Sequence, residues 1–218
     1  MSISNIDSET GLKVASLLLE IKAVKLNLQT PFVWASGWQS PIYCDNRKSL
    51  GYPKIRTYIK DQLVYGIKHN FPNCQAIAGV ATAGIPQGAL VADSMGLPFL
   101  YVRSKPKGHG LENLIEGHFV KGQQVVMVED LISTGGSSLK AVEAVKNAGM
   151  QVCGLAAIFT YGFDLAELNF RNAGVDWFSL SDYHTLIDCA AKKSLVLESQ
   201  ISLLEEWRKH PDTWSTGN

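Results

Sequence analysis

The chain is short of most features that would mark a specialised class. Its 218 residues hold no apolar run near the ~18 residues that a membrane span needs. Twenty basic and twenty acidic residues cancel. A dedicated nucleic-acid binder shows a basic excess, so neither nucleic acid nor membrane is an expected partner. Four cysteines (Cys44, Cys74, Cys153, Cys189) lie far apart, with no C-x-x-C pair. They read as small buried hydrophobes of a reducing compartment. The opening residues, MSISNIDSETG, lack the apolar core of a signal peptide. These absences together predict a soluble, cytoplasmic protein. Neither a G-x-x-x-x-G-K-[ST] loop nor a G-x-G-x-x-G fingerprint occurs, and no His/Cys cluster suggests a metal cage.

What is present points to one globular domain of moderate size. Hydrophobic residues make up 46% and charged residues 18%, enough apolar surface for a substantial core. Asp7 or Ser8 is placed to cap a helix whose apolar residues Leu12, Ala15, Leu18 and Leu19 recur at helical spacing. Residues 27–51 turn irregular around Pro31, Gly37, Pro41 and Gly51 and read as a small covering element. Pro53 opens a second helix to about His69. An alternation then sets in. Strands are predicted at 76–80, 99–102, 125–128, 152–159 and 175–180. Helices are predicted near 84–95, 136–148 and 164–172, with Gly149 ending the second of these. Strands alternating with helices predict a parallel α/β sheet covered on both faces. Nearly all-apolar strands agree with that. The tail after Pro211 reads as frayed.

The stretch VVMVEDLISTGGSS, residues 125–138, carries the chemistry. Ligands of parallel α/β sheets bind at the carboxyl ends of strands, where this stretch falls. Backbone amides of Thr134, Gly135, Gly136 and Ser137, at the start of a helix, suit a phosphate. Ser133, Thr134 and Ser137 add hydroxyl donors. The adjacent acids Glu129 and Asp130 would repel that phosphate, so they must face another part of the ligand. A sugar diol fits, because ionised carboxylates accept hydrogen bonds from hydroxyls at roughly 1.5–3 kcal/mol each. Successive strand residues point to opposite faces, so both acids reach one ligand only if the chain bends there. Acids for a diol beside amides for a phosphate describe a ribose 5-phosphate site.

A second stretch, RSKPKGHGLEN from Arg103 to Asn113, places three cations and a histidine within seven residues. A solvated basic loop is the plain reading. The alternative is a glycine-hinged loop that closes over a pyrophosphate leaving group, where cations meet charge developing as the sugar bond breaks.

These stretches carry a family resemblance. The strand–ED–STGGS pattern resembles the phosphoribosyl pyrophosphate motif of the type I phosphoribosyltransferases. RSKPKGHGLENLIEG resembles the catalytic loop of the orotate phosphoribosyltransferases. AGVATAGIP, residues 78–86, is similar to their pyrophosphate-binding turn, with Ala83 where the better-studied branch has a lysine. SGWQSPIYCDNR, residues 36–47, resembles their hood over the base.

The resemblance implies an α/β fold with a central parallel sheet flanked by helices. A small N-terminal hood, about 1–50, precedes a core of about 51–210. It implies transfer of a phosphoribosyl group from phosphoribosyl pyrophosphate to orotate, with Mg²⁺ held mainly by substrate oxygens. Phosphoribosyl pyrophosphate would lie along Glu129, Asp130, Leu131, Ile132, Ser133, Thr134, Gly135, Gly136 and Ser137. Arg103, Lys107 and His109 would contact its diphosphate and, with Asp130, form the catalytic set. Lys105 carries less weight than Lys107, because some members place their second basic residue directly after the arginine, where Ser104 stands here. Orotate would meet Ser133 and Arg47, since the FTYGFD stretch after the fourth strand lacks the arginine some members place there. The family implies a homodimer whose catalytic loop reaches the partner subunit. A purine-base transferase of the same fold and a non-catalytic sensor of phosphoribosyl pyrophosphate remain the alternatives.

Overall fold

The computed structural model describes residues 3–5, 7–34, 36–105 and 114–215. Its centre is a seven-stranded sheet built from β1 (Ile3–Asn5), β6 (Ala76–Val80), β7 (Phe99–Val102), β8 (Ile115–Glu116), β9 (Gln124–Ile132), β10 (Gln151–Thr160) and β11 (Trp177–Asp182). The strand order is β1-β11-β10-β9-β6-β7-β8. Every neighbouring pair runs parallel except β7 and β8, whose register sets Tyr101 against Glu116. The parallel α/β expectation therefore holds, with one correction: an antiparallel strand closes one edge. Only two residues long, β8 carries too little pattern to be read from sequence.

Residues of β6, β9, β10 and β11 feed two cores, one on each face of the sheet. On β9, Val126 and Val128 join one cluster and Val125 and Met127 the other. The first cluster packs under helices α1 (Ser8–Glu20), α2 (Pro53–Asn70), α3 (Gly84–Met95), α6 (Tyr183–Lys192) and α7 (Glu198–Lys209). The second packs under α4 (Gly136–Asn147) and α5 (Asp164–Asn172). Both sheet faces are thus covered, which is why the strands read as apolar runs instead of alternating ones.

Local signals set several boundaries. Asp7, not Ser8, caps α1, its carboxylate accepting from Thr10 N at 2.7 Å. Leu12, expected on the buried stripe, is exposed, and Val14 takes its place in the core. Pro53 is the first residue of α2. Gly149, at φ +87°, follows the end of α4.

The covering element of residues 27–51 is more regular than expected. β2 (Val24–Leu26) pairs with β5 (Ile42–Cys44), and β3 (Phe32–Val33) pairs with β4 (Gln39–Ser40), both antiparallel. A 3-10 turn, Asn46–Gly51, leads into α2. The tail departs from expectation too. Residues 211–213 form a turn, and Trp214 is buried against the first core cluster.

The chain order reverses between two neighbouring strands. From β6 it passes through α3 to β7 on one side. From β9 it passes through α4 to β10 and β11 on the other. Because α3 and α4 cover opposite faces, the connections leaving β6 and β9 diverge. A crevice opens there, at the strands' carboxyl ends, and such switch points take the ligand in open α/β sheets.

Candidate active site

Gly79 of β6 stands in register with Val128 of β9, so the turn after β6 lies beside Glu129 and Asp130. Close approach requires glycine here. A side chain on Gly84, the first residue of α3, would run into the Val128 carbonyl oxygen, and one on Gly79 would stand 2.9 Å from Ile85 Cα. The missing side chains let α3 start tight against the strand end.

The two acids sit inside β9, which continues to Ile132 opposite Thr160 of β10. The chain does not bend at the acids, as the sequence reading required; it stays extended past them. Glu129 is buried at 5% exposure. Its Oε2 accepts from Ser138 Oγ on α4 at 3.2 Å, and its Oε1 from Asp130 N at 3.0 Å. Burial pushes the Glu129 carboxyl well above the usual range, and the neighbouring Asp130 charge pushes it further. Burial also raises Asp130, against the attraction of Arg47. Asp130 keeps partial exposure. Its backbone carbonyl accepts from Asn46 Nδ2 at 2.6 Å.

Beyond the acids, Leu131 is partly buried and Ile132 lies wholly in the core. Ser133 and Thr134 are partly exposed, Gly135 is buried, and Gly136 and Ser137 are exposed. Gly135 caps α4 at φ +79°. Any β-carbon there would stand 2.7 Å from Phe170 Cε2. Both the dihedral and the contact demand glycine. Among the described residues, the N–H groups of Thr134, Gly135, Gly136 and Ser137 have no protein acceptor. Such a row of free donors at a helix start is ready for an anion.

Arg103 leaves β7, and its N–H donates to Leu114 O at 2.7 Å, closing the neck of the basic loop. Its guanidinium pairs with Glu116 at 3.3 Å. One cavity of about 600 Å³ brings Arg103 and Ser104 together with Ala81, Gly136, Ser137 and Lys140. Lys105 is exposed. Lys107 and His109 fall within 106–113, outside the described residues. Arg47 sits on the 3-10 turn, exposed, with Nε donating to Asp45 Oδ1 at 2.6 Å. No group of three metal-ligating side chains occurs among the described residues.

Sequence reasoning missed Ser138, Asn46, Lys140 and Asn169, whose Nδ2 donates to Thr134 O at 2.9 Å. Ser138 stood next to the motif and only its partner was hidden. Lys140 follows it by two residues on α4. Asn46 and Asn169 reach the motif from 84 and 35 residues away, and no local spacing signals such contacts.

Comparison with known proteins identifies the family. A phosphoribosyl transferase domain matches residues 54–176. The orotate phosphoribosyltransferase of Cytophaga hutchinsonii is 57% identical over 202 residues, covering 93% of this chain and 97% of that protein. That of Porphyromonas gingivalis is 55% identical over 204 residues, covering 94% and 97%. The crystal structure of the Aeropyrum pernix orotate phosphoribosyltransferase superposes with a TM-score of 0.72 at 32% identity, covering 84% of this chain and 99% of that one. The chain belongs to the phosphoribosyl transferase family and, within it, to the orotate phosphoribosyltransferases.

Proposed function

We propose that this chain transfers the phosphoribosyl group of phosphoribosyl pyrophosphate to orotate, giving orotidine 5'-phosphate and pyrophosphate. Orotate N1 attacks the anomeric carbon, the bond to the diphosphate oxygen breaks, and configuration inverts. The observation that carries this reading is the row of free amides at the start of α4, directly after the Glu129–Asp130 pair and at the sheet's switch point. Donors for a terminal phosphate and acceptors for hydroxyls stand there at the two ends of one short segment.

Each residue then has a task. Asp130, which keeps partial exposure, accepts hydrogen bonds from the ribose hydroxyls; Glu129, on the opposite pleat of an extended strand, joins it as an acceptor only where ligand binding bends the chain there. The segment Leu131–Ile132 contributes backbone only. Ser133, Thr134, Gly135, Gly136 and Ser137 hold the 5-phosphate. Arg103, with Lys107 and His109, neutralises the departing diphosphate, which gains charge as the bond breaks. Ser133 and Arg47 contact the base. The protein works by positioning and electrostatics, with no covalent intermediate.

The donor set fits Mg²⁺ carried by the substrate. Two carboxylates stand at the site without a third protein ligand among the described residues, and Mg²⁺ favours phosphates and waters over a protein cage. When bound, the ion screens the diphosphate charge. We also read the chain as a cytoplasmic homodimer whose 103–113 loop serves the partner's site, and as one domain with a hood of about residues 1–50 over a core of about 51–210.

The test follows orotate absorbance in the presence of phosphoribosyl pyrophosphate and Mg²⁺. Orotate consumption is expected. Turnover of adenine or hypoxanthine without orotate would replace this reading by a purine-base transferase. Tight binding without any turnover would replace it by a sensor.

A further inference from the structure

We infer that Asn169, on α5, is a positioning residue that aims the phosphate-binding amides; the inference rests on the reading above. Asn169 Nδ2 donates to the Thr134 carbonyl at 2.9 Å. The Thr134–Gly135 peptide is trans. In a planar trans peptide the C=O and the following N–H point in opposite directions. Holding the Thr134 carbonyl towards α5 therefore turns the Gly135 N–H away from α5.

A second contact sets the same side. Phe170, the next residue, closes on Gly135 so tightly that a β-carbon there would stand 2.7 Å from its ring. Its ring also packs against Trp177, the centroids 5.2 Å apart and the planes tilted by 32°. With α5 closing one side of Gly135, an anion must come from the other, where Gly136 and Ser137 are exposed and line the cavity with Arg103. The Gly135 N–H points that way and has no protein acceptor among the described residues. Thr134 is followed by a glycine at φ +79°, and glycine lacks the side chain that narrows backbone choice. Without Asn169 this peptide is free to rotate and lose its aim. Asn169 touches no ligand in this scheme; it acts through the peptide.

Two variants test this: Asn169→Ala removes the amide, and Asn169→Asp keeps its size but removes the donor. The probes are ribose 5-phosphate and inorganic pyrophosphate, titrated calorimetrically, together with steady-state kinetics. Both variants should bind ribose 5-phosphate about tenfold more weakly, the scale of one hydrogen bond's worth of aim. Pyrophosphate affinity should stay within about twofold, as the diphosphate lies elsewhere. KM for phosphoribosyl pyrophosphate should rise while kcat at saturation holds. Wild-type affinity for ribose 5-phosphate in both variants overturns the inference. So does an equal loss for both ligands with a lowered melting temperature, which would mean general loosening. If the wild-type protein itself fails to bind ribose 5-phosphate, the functional reading falls first and the inference with it.

Discussion

Glu129 and Asp130 are chain neighbours that the fold makes costly to ionise together. Burial raises both carboxyls, and the neighbouring Asp130 charge adds to the effect on Glu129. Above the ordinary glutamate value of 4.5, the unfolded chain has released a proton that the ligand-free fold still holds. The stabilisation this provides is complete at low pH and fades as pH rises through the raised value. Melting curves recorded from about pH 5 to 8 should therefore show the wild type losing ground to Glu129→Gln as pH increases; parallel curves would contradict the assignment. Ionised carboxylates are the stronger acceptors for ribose hydroxyls, so phosphoribosyl pyrophosphate should bind more tightly as pH rises over the same window. At Gly135, the positive φ and the Phe170 ring act together. Gly135→Ala should cost about 1–3 kcal/mol in urea unfolding and weaken ribose 5-phosphate binding; a neutral substitution would mean the loop is not held as described.

At the scale of elements, the irregular N-terminal ribbons stay in place because other elements clasp them. Trp207 of α7 is wholly buried, and its indole N–H donates to Gln39 O at 3.1 Å. Its ring meets Trp34 at 5.7 Å, Tyr161 at 5.8 Å, Phe163 at 5.6 Å and Tyr183 at 5.4 Å. Trp207→Ala should remove about 3–5 kcal/mol of stability, and a loss below about 1 kcal/mol would show that α7 does not anchor the ribbons. Asn46 performs a related task from the 3-10 turn. Fully buried, it links that turn to β9 by donating to the Asp130 carbonyl. Little in the sequence announced either clasp. α7 buries only Leu204 and Trp207, a stripe too narrow to stand out in ESQISLLEEWRK.

For the whole molecule, the sharpest expectation concerns assembly. If the 103–113 loop completes a partner's site, Lys107→Ala and Asp130→Asn should each be nearly inactive alone, because they disable different halves of one site. Mixed and allowed to exchange subunits, they should regain about a quarter of wild-type turnover, since half the dimers are hybrids and each hybrid has one intact site. No recovery, despite exchange confirmed by mass spectrometry, would show that each site is built within one subunit.

Order along the chain was enough for the alternation of β6, β7, β9, β10 and β11 with α3, α4 and α5, since apolar strand runs and glycine or capping boundaries are local signals. The acid pair and the amide-rich loop were legible for the same reason: residues 129–137 are contiguous, and their chemistry needs no distant partner to be recognised. Tertiary structure alone decided the rest. It kept β9 straight through the acids, buried Glu129 against Ser138, closed the sheet with the short antiparallel β8, and brought Asn46 and Asn169 onto the motif's carbonyls. Burial and long-range hydrogen bonds depend on which surfaces meet after the chain has packed, and that is written in no single stretch of residues.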